Sequence, residues 1–386
     1  MWPMASMLRP FTGYVPTSSF GKRVVGPPKA LLKPSKRDAG ADDPLSFRYS
    51  VGRGAGPSSE AALAWLDATA ENDAITPVHD ALIVHSATRA GRTTLGVLGD
   101  VSVEAYARGD IKPHEKTIAS TEQKMVGYML LTRMLGNPLV VAHRPNAAFT
   151  AKLKAHSSGP ADSDFEARDG THHQLWTVTG EAAHELVALM TGDLYIADGH
   201  HRIEAARVLA ETEKRDDAWF PAGLYAENEF DVWAFARGVR EAPVAGDALI
   251  AKLRADFQLD EIDDELPRPP APGTFGARID GRSFVLTIPA EAISGDAHDR
   301  LDVHLLQTLI LGPVFGIDDP RRDPRLDVIA DSDDGAHEPD LYDAWFLPYP
   351  TAPGEVMAVA DLGRTMPPKS TYFLPKLPGG LVIRPL

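Results

Sequence analysis

Asp193-Leu194-Tyr195-Ile196-Ala197-Asp198-Gly199-His200-His201-Arg202-Ile203-Glu204-Ala205-Ala206 changes its hydrophobic period in mid-stretch. Leu194 to Ala197 is a short apolar run and reads as a buried strand. Asp198-Gly199 breaks it. Ile203, Ala206, Val208 and Leu209 then fall near helical spacing, which predicts a helix from about His200 to about Glu213. A strand, a glycine turn and a helix start leave backbone N–H groups without intrahelical partners. The helix dipole adds partial positive charge there, and Arg202 and two imidazoles add more. Such a turn suits a phosphate or a carboxylate. The plainer alternative is that Asp198 caps the helix and the histidines are surface residues.

Outward from this stretch, strands and helices alternate. Helices are expected at Ser58–Ala70, Thr121–Leu135, Glu181–Met190, Leu301–Leu311 and Gly354–Leu362. Ser59 is the expected cap of the first, with Leu63 and Leu66 on its apolar face and Trp65 nearby. Met125, Met129 and Leu130 are the expected inward residues of the second. Strands are expected at Leu139–Ala142, His172–Val178, Trp219–Tyr225, Val232–Val239 and Leu326–Ile329. Two hairpins are expected: Ala81–Ser86 with Thr93–Leu98 across Arg89-Ala90-Gly91-Arg92, and Phe275–Ile288 turning at Asp280-Gly281. Residues 1 to about 45 read as extended backbone lying over another surface, and Gly52-Arg53-Gly54-Ala55-Gly56 as a flexible loop. The pattern argues for a mixed α/β or α+β core. A soft boundary near residue 243 separates an N-terminal region (1–243) from a C-terminal one (244–386), and no internal repeat is seen.

Composition narrows the function. The chain has 386 residues, ample for a core, and no apolar run near the ~20 residues of a membrane span. Met1-Trp2-Pro3-Met4-Ala5-Ser6 lacks the basic-then-apolar pattern of a signal peptide, so a cytoplasmic protein without membrane association is expected. Cysteine is absent, which removes disulfides, thiolate metal sites and a cysteine nucleophile. The net charge is −15 and no helix-turn-helix is recognisable, so no nucleic-acid partner is expected. A gel shift at ~150 mM salt should show no sub-micromolar binding to duplex DNA. Acid concentrates in Asp260–Glu265 and Asp331–Asp340, which read as solvated loops.

Three polar blocks interrupt the apolar pattern. The Asp198–Arg202 turn is the first. His114-Glu115-Lys116-Thr117 follows Pro113 and packs an imidazole, a carboxylate, a cation and a hydroxyl into four residues. Glu115 suits a general base and Lys116 a phosphate contact, and a solvated charged loop is the alternative. Lys369-Ser370-Thr371 follows Pro367-Pro368 and could clamp an anion, although it lacks the glycine spacing of a P-loop; its alternative is a structural turn. Arg133 and Asn137 could line the same cleft or cap their helix. The three blocks are expected to line one cleft. Five of the 13 histidines lie between His172 and His201, but His172-His173 and His200-His201 are adjacent pairs whose side chains diverge, so zinc is not expected there. Of His172 and His173, strand alternation turns one inward.

The same blocks carry a family resemblance. Ala197–Arg202 resembles the ADGHHR signature of domain of unknown function 1015. Lys112–Thr117 resembles that family's LPHEKT block, and Met366–Leu377 its MPQKSTYFYPKL block. Three blocks in the right order cover nearly the whole chain. One departure is Lys29-Ala30, which stand where the family continues Pro27-Pro28 with Tyr-Asp. The D-G-H-x-R turn is also similar to that of the ParB/sulfiredoxin-like fold, a group with nucleotide-binding partition proteins and a free-serine kinase. The resemblance implies an α+β fold with a ParB/sulfiredoxin-like core and a C-terminal α/β extension. It implies a nucleotide-dependent, kinase-like phosphotransferase acting on a small hydroxyl metabolite. Glu115, Asp198 and His200 would be catalytic. Gly199, His201, Arg202, His114, Lys116, Thr117, Lys369, Ser370 and Thr371 would bind phosphate or nucleotide. Asp198 would hold Mg²⁺, and the nucleotide would be ATP, ADP or CTP. The alternatives are a non-catalytic nucleotide- or metabolite-binding regulator and a metal-dependent hydrolase.

Overall fold

A computed structural model describes residues 6–28, 43–50, 58–331, 338–367 and 369–386. Lys29-Ala30, the Gly52–Gly56 loop and most of the Asp331–Asp340 acidic run lie outside the described residues. The chain forms two compact units of mixed α/β character: Met1–Pro113 with Thr117–Phe230 and Pro375–Leu386, and His114–Lys116 with Asp231–Leu374.

The first unit is built on a ten-stranded sheet among the described residues. Its strand order is Ile111–Lys112, Leu194–Asp198, Leu139–His143, Trp219–Ala226, Arg92–Ser102, Ile75–Arg89, His172–Thr179, Ser163–Glu166. Leu8–Arg9 and Phe11–Pro16 pair with the two strands of the long hairpin, so this part of the N-terminal segment is sheet. The hairpin turns at Ala90-Gly91, both with positive φ, and Arg89 pairs with Arg92. Leu194–Asp198 runs parallel to Ile111–Lys112 and antiparallel to Leu139–His143. Its residues Leu194 to Ala197 are buried, as a strand covered on both faces requires. His200–Glu213 follows as a helix that buries Ile203, Ala206 and Leu209 against the sheet. The strand and the helix fall where the change of period places them.

Two helix faces differ from expectation. The helix Ser59–Glu71 is capped by Ser58, whose hydroxyl accepts from the Ala61 N–H at 3.1 Å, so Ser59 is its first residue. It buries Ala62, Trp65, Leu66 and Thr69, while Leu63 is half exposed. The second helix, Ala119–Thr132, ends at Arg133 in the left-handed region, and a short strand, Met134–Leu135, follows. Met129 is buried and Leu130 is exposed. In both cases a leucine stands one position off the buried stripe, which small residues complete.

Among the described residues, the second unit holds a six-stranded antiparallel sheet ordered Gln258–Ile262, Arg282–Thr287, Thr274–Ile279, Ala344–Pro348, Phe235–Val239, Leu326–Ala330. The expected hairpin turns at Asp280-Gly281, both with positive φ. The expected strand Val232–Val239 is two strands: Asp231–Trp233 pairs with Tyr372–Leu374, and Phe235–Val239 enters the large sheet. The apolar stretch from Leu301 is a short helix, Asp302–Leu305, continued by a π-helical segment, Leu306–Leu311.

Candidate functional site: a cavity closed by Asp198, Arg202 and Lys376

A bulge aims Asp198. Ile196 pairs with Val141 and Asp198 with Val140, so Ala197 is an extra residue in the ladder. Gly199 then takes φ +107°, a conformation that L side chains rarely adopt, and a Cβ there would lie 2.6 Å from Leu139 Cδ2. This turn sets Asp198 at the strand end and Arg202 in the first turn of the helix.

Arg202 is locked. Its Nη1 donates to the Asn137 carbonyl at 3.1 Å and to the Pro138 carbonyl, and its Nη2 pairs with Asp198 Oδ2. Lys376 Nζ donates to Asp198 Oδ1 at 2.6 Å. Burial alone would push the Asp198 carboxyl up, but Lys376 and Arg202 outweigh it and hold the group far below the usual carboxylate range.

Lys376 comes from the C-terminal segment, which four glycines admit. Gly26 and Gly379 exchange backbone hydrogen bonds at 2.8 and 3.1 Å, and the Gly380 N–H donates to the Gly136 carbonyl at 2.7 Å. Phe47 packs on Gly136, Gly379 and Gly380, so closely at Gly136 and Gly380 that a Cβ would meet its ring or its own Cβ.

The resulting cavity, about 470 Å³, lies wholly in the first unit. Its polar lining is Arg48, Asn137, Asp198, Arg202 and Lys376, and its apolar wall includes Phe47, Met125, Tyr128 and Leu377. The size and the few convergent polar groups are those of a small-molecule site. The cavity offers Mg²⁺ the carboxylate of Asp198, both of whose oxygens already pair with cations. That donor set does not fit a bare divalent ion.

The other expected residues are placed as follows. His201 Nε2 accepts the Ile118 N–H at 3.1 Å, tying the helix to the backbone after Thr117. His200 is buried. Arg133 donates to Glu213 at 2.6 Å, at the opposite end of the His200–Glu213 helix from Asp198, while Asn137 lines the cavity. Asp198–Arg202 and Thr117 belong to the first unit, and His114–Lys116 and Lys369–Thr371 to the second. Within the second unit, His114 is buried, with Nε2 3.5 Å from the Thr371 hydroxyl and its ring 5.7 Å from Phe373. Its carbonyl accepts the Met366 N–H at 2.8 Å. Glu115 is half-buried and Lys116 exposed. Ser370 is buried and its hydroxyl turns back to the Pro367 carbonyl. Lys369 has φ +56°, its carbonyl accepts from Arg237 at 3.0 Å, and its ammonium lies 5.5 Å from the Phe235 ring centroid. Arg237 is buried, which pulls its guanidinium down to about 10.

Lys376 and Arg48 are charged cavity residues that sequence reasoning missed. Lys376 stands in the quoted Met366–Leu377 block, and a basic residue at the end of a signature block is the signal that could have found it.

The fold is mixed α/β, with a polar-ended cavity at a strand–glycine–helix turn. The chain belongs to the family DUF1015, proteins of unknown function, which matches residues 9–304. Among solved structures it is similar to a free serine kinase in complex with AMP (13% identity, 72% of this chain and 87% of that one, TM-score 0.37). It is also similar to C-terminally truncated SbnI from Staphylococcus aureus (13% identity, 73% and 85%, TM-score 0.40). A third likeness is to a conserved hypothetical protein from Pyrococcus furiosus (13% identity, 72% and 92%, TM-score 0.35). No curated protein matches the chain. Among the described residues, no helix is long and apolar enough to cross a membrane.

Proposed function

We propose that the first unit binds a phosphorylated small molecule, a nucleotide in the first instance, and that the chain is a phosphotransferase for a small hydroxyl metabolite. The cavity is the observation that carries this reading. A flat, partly apolar body fits against Phe47, Tyr128 and the methionines, and an anionic group fits at Lys376 beside the helix start. Arg202 is braced by two carbonyls, so it fixes the turn and holds Asp198. Lys376 has a flexible stem, so it is a cation that can turn to a phosphate. Glu115 remains the proposed base for the acceptor hydroxyl, on its sequence block alone.

Calorimetric titration with ATP, ADP and CTP tests the proposal. Lys376→Met should weaken binding by about one to two powers of ten, the loss of a contact worth about 1.5–3 kcal/mol. Arg202→Ala should weaken binding by a similar factor and lower the melting temperature as well, because it releases the turn. Glu115→Gln should bind like the wild type and lose about 10² or more in rate. Wild-type protein that binds none of the three nucleotides would remove the reading.

The pairing of both Asp198 oxygens favours a second reading, a regulator that binds without turnover. Incubation with nucleotide and a metabolite pool, followed by mass spectrometry, separates the two: a phosphorylated product requires the first reading.

A further inference from the structure

We propose that His298, Asp299 and His304 of the second unit form a site for a zinc-class divalent transition metal. One ligand atom from each of the three lies within 4.8 Å of the others. His298 Nδ1 is 3.0 Å from Asp299 Oδ1, and His304 Nε2 is 4.0 Å from the same oxygen. Metal bonds of about 2.0–2.2 Å put neighbouring ligand atoms roughly 3.0–3.5 Å apart. The first pair, hydrogen-bonded in the structure, is already at that spacing, and the second would have to close by about 0.5–1 Å. The two rings lie 4.5 Å apart at a tilt of 59°, so they converge without stacking. Two imidazoles and one carboxylate select borderline metals such as Zn²⁺ or Co²⁺ over Mg²⁺ or Ca²⁺. Three protein ligands leave a coordination position for water or an anion.

The surrounding backbone holds the ligands in place. Asp296 Oδ1 accepts the His298 and Asp299 N–H groups at 2.9 and 3.3 Å, and the Leu301 carbonyl accepts the His304 N–H at 2.8 Å. The six-residue spacing from His298 to His304 spans a turn into a helix, so sequence periodicity does not bring the pair together.

Arg364 is the competing charge. Its Nη2 lies 3.0 Å from Asp299 Oδ1 and its Nη1 2.6 Å from Asp296 Oδ2. Its guanidinium stands in for a cation at Asp299. When a metal takes that oxygen, Arg364 keeps Asp296 as a partner.

The test is titration of the full, untagged chain with Co²⁺, read by visible absorption and by bound-metal analysis after desalting. One equivalent is expected, with a spectrum displaced by Zn²⁺. His298→Ala and His304→Ala should each weaken uptake by more than about 100-fold, beyond the 10–100-fold typical of outer-shell changes. Arg364→Gln should tighten it about threefold or more, as loss of an exposed ion pair permits. That variant keeps all three ligands, so it decides the matter even if a histidine variant fails to fold. No stoichiometric uptake by the wild type, unchanged uptake by the folded histidine variants, or weaker uptake by Arg364→Gln overturns the site.

Discussion

Taking the pH from 7.5 to 4.5 is expected to cost the wild-type chain about 2.7 kcal/mol more stability than it costs a His173→Asn variant. His173 lies in the sheet of the first unit and is 2% exposed. Its Nδ1 is 3.0 Å from His85 Nε2, His85 Nδ1 is 2.6 Å from the Tyr225 hydroxyl, and Phe165 packs on the His173 ring. Burial, with a smaller push from His172, takes the His173 imidazole down from 6.5 to about 3. Burial and the neighbouring His173 take His85 well below its ordinary value. A depressed imidazole pKa favours the neutral form in the fold. Its stability contribution is therefore present above pH 6.5 and is lost as the pH falls towards 3. Each pH unit in that window costs about 1.4 kcal/mol, and two units lie between 6.5 and 4.5. Asparagine keeps a hydrogen-bonding group near the Nδ1 position and does not titrate. The cavity it leaves costs the same at both pH values and cancels in the difference. Urea denaturation of both proteins at pH 7.5 and 4.5 measures it. Equal slopes with pH would mean that His173 accepts a proton in the folded chain near its ordinary value.

His173 also shows what could be read in advance. Alternation along His172–Thr179 requires one of the two adjacent histidines to face inward, and His173 is the one. The strand–glycine–helix turn at Asp198 was legible because the period changes within a few residues. Both hairpins were legible because two-residue turns need positive φ, which Ala90-Gly91 and Asp280-Gly281 supply. Phe11–Pro16 was not, because a short strand with a glycine and a proline looks like extended loop. The bulge at Ala197 left no local mark, since it exists only in the pairing with Leu139–His143. Lys376 was hidden for the same reason: it reaches Asp198 from 178 positions away, through glycines whose role is close backbone approach. Pairing between distant segments is what single-sequence periodicity lacks.

Asp198→Asn is expected to destabilise the chain and to strengthen its hold on phosphate. Asp198 neutralises Arg202 and Lys376, and removing it leaves two cations facing each other. Breaking a buried pair costs about 3–5 kcal/mol. Asp198 keeps 31% of its side-chain surface exposed, so about 2–3 kcal/mol is expected here. The loss should be nearly the same at pH 7.5 and pH 5. The native carboxyl is held so low that its stability contribution, present above the unfolded value near 4, is lost only as the pH falls below that. That separates it from His173, whose effect grows across the same interval. Phosphate and nucleotide should bind the variant about tenfold more tightly at low salt, because the ligand no longer competes with a carboxylate for Lys376. Denaturation at the two pH values and calorimetric titration with inorganic phosphate, ADP and ATP check both halves. If the variant loses nucleotide only when Mg²⁺ is present, Asp198 serves a metal carried on the phosphates. If it loses nucleotide and phosphate without Mg²⁺, the carboxylate itself contacts the ligand and Lys376 is only its brace.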